Sequence, residues 1–336
     1  MTDRPFSAPR VDVLGLGGTI AMAPVSAGGA VEPTLGAEQL VAAVPELARI
    51  ADVHAQSVRT LPGASLELSD LLAVAAAARA AVDAGSRGVV VTQGTDSLEE
   101  SAYVLDLVWD RPEPLVVTGA MRPASAAGAD GPANIAAAVA VAASAAARAR
   151  GCLVAFADRV FAARAVAKVH STRPDAFAAP GAGPVGALDE GAVRFDAPPA
   201  ARAAALAPPE TPVPNVAVVP VVLGDDGRLL RAATAAGFDG LVLAAMGAGH
   251  VPRRLLEPIA EAVDRLPLAA ASRTGAGRLL HRTYGFPGSE RDLWAAGLLD
   301  GGALSPLKAR ILLALAIWCA PGDRVEQERL FRDRAS

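Results

Sequence analysis

Two threonines, an aspartate and a lysine follow predicted strands, and together they could carry out nucleophilic catalysis without a cofactor. Thr19 follows the glycine pair of the segment GLGGTI, and Thr95 and Asp96 lie in the segment TQGTDS. A threonine hydroxyl is a weak nucleophile until an adjacent base accepts its proton, and that base needs a third group to hold it. Lys168 could be the base, because burial readily neutralises a lysine. These side chains predict nucleophilic catalysis by a threonine.

Each of these residues also has an ordinary structural interpretation when taken alone. Asp96, with Glu99 three residues later, resembles an N-terminal helix cap, and for the aspartate by itself we favour that interpretation. Gly17 and Gly18 alone indicate only a tight turn. The set points to catalysis because its members lie beyond the ends of the first, third and fifth predicted strands, and ligands bind at such strand ends in open α/β sheets. The N–H groups at the start of the helix predicted from residue 97 could also hold an oxyanion.

The elements that must position these residues follow from an alternation of short β-branched segments with alanine-rich helical segments. This pattern is typical of parallel strands with helices on both faces. The predicted strands are residues 11–16, 53–58, 88–92, 114–118, 152–158, 215–222, 240–245 and 267–272. The predicted helices are residues 36–49, 69–84, 97–109, 132–148, 252–264, 290–299 and 306–318. Ser305 and Pro306 are predicted to cap and begin the last helix.

The length of 336 residues and a proline-rich interior segment predict two domains. Residues 1–193 would form a larger N-terminal catalytic α/β domain with a mostly parallel sheet. Residues 194–215 would form a linker, and residues 216–336 a smaller C-terminal α/β domain.

Composition and missing motifs exclude several classes of protein. The 31 basic and 35 acidic residues give a net charge of −4, so neither nucleic acid nor an anionic membrane is an expected partner. Ile20 occupies the third glycine position of a dinucleotide fingerprint, and the lysines lack a P-loop context. The two cysteines and four histidines lack metal-ligand spacing, so we expect no metal, no cofactor and two buried, reduced thiols. Without a signal peptide or a membrane-length apolar segment, the protein is expected to be cytoplasmic.

Several segments closely resemble the bacterial-type L-asparaginase family, which hydrolyses asparagine and in some members glutamine. The resemblance covers nearly the whole chain in the family's order. The matching segments are LGLGGTIAM at 14–22, GVVVTQGTDSLEESAYVLDL at 88–107, PLVVTGAMRPASAAGADGPANI at 114–135, ARAVAKVHSTRPDAFAAPGAGPVG at 163–186, AAGFDGLVLAAMGAGHVP at 235–252 and LSPLKARILLALA at 304–316.

The resemblance implies L-asparagine as the small-molecule substrate and a role for each matching residue. Thr19 would be the nucleophile that forms an acyl-enzyme, and Thr95, Lys168 and Asp96 would form the triad that governs proton transfer. Asp96 would also bind the substrate α-amino group. The remaining substrate-binding residues implied by the match are Ser65 for the α-carboxylate, the backbone N–H groups of Ala120 and Thr95 for the oxyanion, and Gly18 beside the nucleophile.

The family also implies a homo-oligomer, a dimer or a homotetramer of intimate dimers, in which a neighbour's second domain completes each site. Glu290 is a candidate for the acidic residue that such a neighbour donates. The segment GAGH, residues 247–250, replaces an asparagine-containing loop that several members contribute across the dimer.

Two departures from the family pattern bear on substrate recognition. The segment Ala21 to Glu46 contains no aromatic residue, although the family's N-terminal lid usually carries a tyrosine close to the nucleophile. Either another lid group such as Ser26 or Thr34 substitutes for it, or proton transfer is less assisted. Leu66 follows Ser65 where many members have a glutamine that binds the substrate amino and carboxylate groups. An apolar residue there is expected to lower affinity for a zwitterionic amino acid or to change the amide preferred, for example to glutamine.

Two other functions are compatible with parts of this sequence. An ammonia-donating subunit of a tRNA-dependent amidotransferase shares these motifs but is expected to carry an additional N-terminal domain, whereas the motifs here begin by residue 14. A non-catalytic or weakly active amino-acid-binding protein would fit the missing lid tyrosine and Leu66. The intact threonines, aspartate and lysine argue against it.

Overall fold

The computed structural model describes residues 8–24, 31–209 and 212–335. These residues divide into two compact units, one ending at Arg202 and the other beginning at Ala203. Each unit is an α/β unit with its own sheet, which confirms the predicted fold class. Among the described residues, no helix is long and apolar enough to span a bilayer.

The first unit contains twelve described strands and four described α-helices. The strands are β1 (Arg10–Gly17), β2 (Met22–Pro24), β3 (Val31–Pro33), β4 (Asp52–Leu61), β5 (Gly88–Thr92), β6 (Leu115–Thr118), β7 (Cys152–Phe156), β8 (Arg159–Ala162), β9 (Ala167–Lys168), β10 (Phe177–Ala178), β11 (Gly186–Asp189) and β12 (Ala192–Phe195). The helices are α1 (Ala37–Ala42), α2 (Leu68–Asp83), α3 (Leu98–Val108) and α4 (Gly131–Ala143). Short 3-10 helices at Thr19–Ala21, Pro45–Arg49, Gly63–Ser65 and Ala145–Ala147 connect them.

Eight of these strands form one sheet in the order β12-β11-β8-β7-β6-β5-β1-β4. The five strands from β7 to β4 run parallel, and β8, β11 and β12 continue the sheet antiparallel. The chain adds β4 on one side of β1 and then crosses to add β5 on the other side. The strand order therefore reverses between β1 and β5, which is the crevice where open α/β sheets bind ligands.

Both faces of the parallel strands are covered, as the sequence predicted. Val90, Val116 and Leu153 share a buried cluster with Ile135 and Ala138 of α4. Helices α2 and α3 pack against the same strands, with α2 on β1 and β5 and α3 on β6 and β7. Because strand side chains alternate between faces, nearly every residue of β1, β5, β6 and β7 is buried, whereas the edge strand β4 is partly exposed along its length.

The second unit has a four-stranded parallel sheet in the order β13-β14-β15-β16. Its elements are β13 (Val216–Pro220), α5 (Arg228–Ala235), β14 (Gly240–Ala245), a 3-10 helix (Arg253–Leu255), α6 (Leu256–Val263), β15 (Leu268–Ser272), α7 (Glu290–Ala295), β16 (Leu299–Asp300), α8 (Pro306–Cys319) and α9 (Arg324–Ala335). Ser305 caps α8 by accepting the N–H of Lys308, and Pro306 occupies the first turn, as predicted.

Local backbone chemistry explains where the predicted elements differ from the observed ones. The helix predicted at 36–49 ends at Ala42, because Val44 precedes Pro45 and adopts a non-helical conformation. The helix predicted at 132–148 ends at Ala143, where Ser144 turns the chain and caps a 3-10 helix. Helix α9 was missed because it is mostly charged; ion pairs between side chains three or four residues apart lie along it.

The linker and the cysteines also depart from prediction in detail. Arg194 and Phe195, predicted to begin the linker, lie in β12 and pair with β11. Arg202 of the predicted linker donates to the Asp106 carboxylate. Cys152 is buried, as predicted, whereas Cys319 is only partly buried. Both thiols are free.

Candidate active site

Three glycines bring the carboxyl ends of β1, β4 and β5 into backbone contact. A Cβ atom at Gly18 would lie 2.0 Å from the Gly94 nitrogen, and one at Gly94 would lie 2.8 Å from the Gly63 nitrogen. Gly18 also has a φ of 81° and a ψ of −173°, a conformation almost restricted to glycine. The chain therefore needs glycine at these positions so that the loops that carry Thr19, Ser65 and Thr95 can touch.

Hydrogen bonds fix the loop after β5 in this position. Gln93, fully buried, donates from Nε2 to the Gly94 carbonyl at 3.2 Å and to Ser101 Oγ at 3.1 Å. Ser97 Oγ donates to the Gly63 carbonyl at 2.7 Å and so ties this loop to the 3-10 helix that ends at Ser65. Ser65 itself is exposed, so its hydroxyl is accessible to a ligand.

Lys168 joins the two other members of the predicted triad directly. Its Nζ donates to Thr95 Oγ1 at 3.0 Å and to Asp96 Oδ1 at 2.7 Å. The lysine side chain is 16% exposed, the Thr95 residue is buried and the Asp96 side chain is 72% exposed. The lysine and threonine are thus largely shielded from water, while the carboxylate remains open to a ligand.

The interpretation of Asp96 as a helix cap is wrong. Ser97 is the N-cap residue of α3, and the Asp96 carboxylate instead accepts from Lys168. Glu99 does not complete a capping box there: its Oε2 accepts the backbone N–H of Lys168 at 3.0 Å. The α3 start thereby holds the short β9–β10 hairpin, in which Lys168 pairs with Phe177. Sequence reasoning missed this role of Glu99, because a capping pattern was a sufficient explanation.

Thr19 lies in the 3-10 helix that follows β1 and is half-buried, next to buried Ile20. Ile20 approaches the start of α4, where a Cβ on Gly131 would lie 3.2 Å from its Cγ1 and 3.5 Å from Ala120 Cβ. The segment that carries Thr19 and the turn that carries Ala120 therefore meet at the same helix end.

The regions that depart from the family pattern have definite positions. Strands β2 and β3 follow Thr19 and pair antiparallel, and Thr34 just beyond them is exposed. The candidate lid residue Ser26 lies outside the described residues. Leu66 is half-buried directly after Ser65.

In the second unit, Glu290 has an internal structural role. Its side chain is 0% exposed, and Oε1 accepts the N–H groups of Thr283 and Tyr284, both at 2.9 Å. His250 Nε2 lies 3.5 Å from Oε2, and the imidazole contacts the rings of Tyr284 and Phe286 edge-on. Burial raises the pKa of Glu290, but the N–H groups of Tyr284 and Thr283 and the nearby His250 outweigh it, and the net pKa is lowered. Glu290 is thus enclosed by groups of its own unit, and its candidate role as a group donated to a neighbour stays a prediction.

No cluster of three or more histidine, cysteine, aspartate or glutamate side chains within the described ranges is arranged to hold a metal ion. The candidate site is instead built from hydroxyl, ammonium and carboxylate groups.

The fold and site define an α/β enzyme with a threonine-lysine-aspartate cluster beside its topological switch point. A family model described as Asparaginase, N-terminal matches residues 10–201, and one described as Glutaminase/Asparaginase C-terminal domain matches residues 215–331. The chain belongs to this asparaginase and glutaminase family of enzymes.

Individual relatives match over nearly the full chain. A probable periplasmic L-asparaginase of Haemophilus influenzae is 32% identical over 95% of this chain and 92% of its own length. A glutaminase-asparaginase of Pseudomonas fluorescens is 32% identical over 96% of this chain and 89% of its own length. The crystal structure of a probable cytoplasmic L-asparaginase from Campylobacter jejuni has a TM-score of 0.84 at 31% identity and covers 96% of this chain and 99% of that one.

Proposed function

We propose that the protein hydrolyses L-asparagine to L-aspartate and ammonia, with Thr19 as the nucleophile. The observation that carries the proposal is the contact of Lys168 Nζ with both Thr95 and Asp96. Next to this contact, the close approach of Gly18 to Gly94 brings the loop of Thr19 against the loop of Thr95. The names of the relatives support the substrate class, since they are asparaginases or a glutaminase-asparaginase.

In the proposed first step, Thr19 Oγ attacks the side-chain amide carbon of the substrate. The hydroxyl proton passes through Thr95 and Lys168 to the amide nitrogen, the carbon-nitrogen bond breaks and ammonia leaves. Water then attacks the resulting ester, aspartate is released and the proton returns to Thr19. Such positioned proton transfer contributes about 10² to 10⁴ in rate.

Recognition of the substrate is assigned to groups around this centre. Asp96 accepts the α-ammonium group, for which its 72% exposure leaves room, and the exposed Ser65 hydroxyl binds the α-carboxylate. The backbone N–H groups of Ala120 and Thr95 stabilise the oxyanion, and Gly18 lets the nucleophile loop approach closely. One donor of this kind typically contributes about 10² to 10³ in rate.

Ammonia release from L-asparagine tests the proposal, with hydroxylamine added to intercept the acyl-enzyme as a hydroxamate. Thr19→Ala and Thr95→Val should each lower turnover by at least about 100-fold. Thr234→Val is a matched control, because this threonine lies on α5 and its hydroxyl donates to the Leu230 carbonyl. It should leave turnover unchanged.

A different outcome would refute parts of the proposal separately. Hydrolysis that persists in Thr19→Ala would exclude this residue as the nucleophile. A wild-type protein that binds asparagine without releasing ammonia would favour the amino-acid-binding alternative.

Glutamine is the second substrate to measure, because a relative is named glutaminase-asparaginase and Leu66 offers no polar group beside Ser65. In the proposed site, Leu66→Gln adds an amide that can bind the substrate amino and carboxylate groups. We expect the KM for asparagine to fall in this variant with kcat nearly unchanged. A changed kcat at constant KM would contradict a recognition role.

Assembly and location also belong to the proposal. A homo-oligomer, a dimer or tetramer, is supported by the exposed apolar side chains Val222 and Leu223 in the second unit. Light scattering after size exclusion gives the mass that tests it. The relatives differ in location, and we propose the cytoplasm for this protein. Cell fractionation tests this assignment.

A further inference from the structure

The aspartate at the start of α4 does not cap its own helix. Asp130 is the N-cap residue, yet its carboxylate makes no capping hydrogen bond. Instead Oδ2 accepts the N–H of Met121 at 3.0 Å and Oδ1 accepts that of Arg122 at 2.9 Å. The carboxylate therefore organises the turn after β6, immediately beyond Ala120.

Asn134, one helical turn after Asp130, holds the peptide group that precedes Ala120. Its side chain is buried, and Nδ2 donates to the Gly119 carbonyl at 3.0 Å and to Asp130 Oδ2 at 3.2 Å. The Gly119 carbonyl and the Ala120 N–H belong to one planar trans peptide, so they point in opposite directions. A hydrogen bond that fixes this carbonyl therefore also fixes the direction of the Ala120 N–H.

The same asparagine ties the turn to the next strand of the sheet. Asn134 Oδ1 accepts the N–H of Ala157 at 3.0 Å. Ala157 and Asp158 have φ values of 49° and 59° and form the two-residue turn between β7 and β8. Positive φ angles at two successive residues are typical of the tight turns that join hairpin strands. Asn134 is therefore hydrogen-bonded to the backbone of a tight hairpin turn.

We propose that Asp130 and Asn134, together called the Asp130–Asn134 brace, are positioning residues that orient the Ala120 N–H toward the oxyanion. The inference rests on the proposed function, in which that N–H is an oxyanion donor. The brace holds both peptide groups that flank Ala120: Asn134 holds the one before it and Asp130 the one after it. Neither side chain needs to touch the substrate.

Steady-state kinetics on L-asparagine with Asn134→Asp and Asp130→Asn test the brace. The first variant replaces the donor to Gly119 by a carboxylate that has no proton to donate, and the second replaces one acceptor oxygen by an amide nitrogen. Each should lower kcat at least about 10-fold and leave KM within about 3-fold, since an interaction made only in the transition state changes kcat. All values are normalised to folded protein, measured by circular dichroism.

Val139→Ala is the matched control. Val139 is buried on the same helix, so its truncation should lower the melting temperature while kcat stays within about 2-fold of wild type. If either brace variant fails to fold, the other carries the test, because each holds a different peptide group.

The results distinguish the inference from the proposed function. Wild-type turnover that depends on Thr19, together with a normal kcat in a folded brace variant, would overturn the inference alone. An increase in KM at constant kcat, or an equal loss of kcat in Val139→Ala, would also overturn it. A wild-type protein inactive on asparagine would overturn both.

Discussion

Replacing Gly18 by alanine is the substitution whose effect follows most directly from the backbone. A Cβ there would lie 2.0 Å from the nitrogen and 2.2 Å from the Cα of Gly94. Ordinary van der Waals contact begins at 3.4 Å, so the loops after β1 and β5 must separate by about 1.4 Å. Both colliding atoms belong to the backbone, and no side chain can rotate away to relieve the contact.

The size of the effect on catalysis follows from this displacement. A misplacement of about 1 Å in an active site costs on the order of 10² in rate, so kcat/KM for asparagine should fall at least about 100-fold. The unfavourable φ and ψ of an alanine at this position add roughly 1–3 kcal/mol of destabilisation. A folded protein with lower stability and much lower turnover is expected.

Gly85→Ala is a control that separates the effect of the steric collision in Gly18→Ala from the effect of its unfavourable backbone angles. Gly85 has a φ of 99°, and no atom lies within 4 Å of a Cβ built there. This control should lose stability but keep its kcat/KM. Ammonia release and urea unfolding measure both quantities. Activity of Gly18→Ala within about 3-fold of wild type, or an equal loss in Gly85→Ala, would refute the reasoning.

Three further predictions concern charge and proton binding. Lys168→Arg keeps the charge but carries a guanidinium that stays protonated, so kcat should fall at least about 100-fold; normal kcat would mean that a fixed charge beside Thr95 suffices. The folded-state pKa of Glu290 lies below its ordinary value of 4.5. The contribution of ionised Glu290 to the free energy of unfolding is therefore fully present above pH 4.5 and is lost as the pH falls through the folded-state pKa. Glu290→Gln should therefore lower the urea midpoint at pH 7 and differ less from wild type near pH 4; equal midpoints at pH 7 would contradict this. Burial, with the nearby Asp106 adding to it, raises the pKa of Cys152 well above 9.0, so a disulfide reagent at pH 8 should label this thiol only after unfolding, and rapid labelling in the native protein would refute its burial.

Much of the sheet could be predicted because its strands are short, apolar and bounded by turn residues. Strands β5 and β14 coincide with the predicted ranges, since burial on both faces produces continuous β-branched and apolar segments. The strands from β8 to β12 and helix α9 could not be predicted in the same way. These strands are very short, and those in the main sheet are held by pairing with neighbouring strands rather than by an apolar period of their own. Helix α9 is mostly charged, so it also lacks an apolar period.

The catalytic candidates could be named from the sequence, but their contacts could not. The segments around Thr19, Thr95 and Lys168 identify the residue types and, through the family resemblance, their expected roles. The contact of Lys168 with Thr95 joins residues 73 positions apart, and no local pattern encodes such a pairing.

The sequence by itself determined the α/β class, the strand ends that carry chemistry and the family, because these follow from local periodicity and conspicuous motifs. Only the tertiary structure decided that Asp96 pairs with Lys168 instead of capping a helix, that Glu290 is enclosed in its own unit, and that Asp130 and Asn134 hold the turn of Ala120. A side chain of one type can make several hydrogen bonds of similar strength. Which partner it meets depends on how the strands are ordered and how closely their glycines allow the loops to approach.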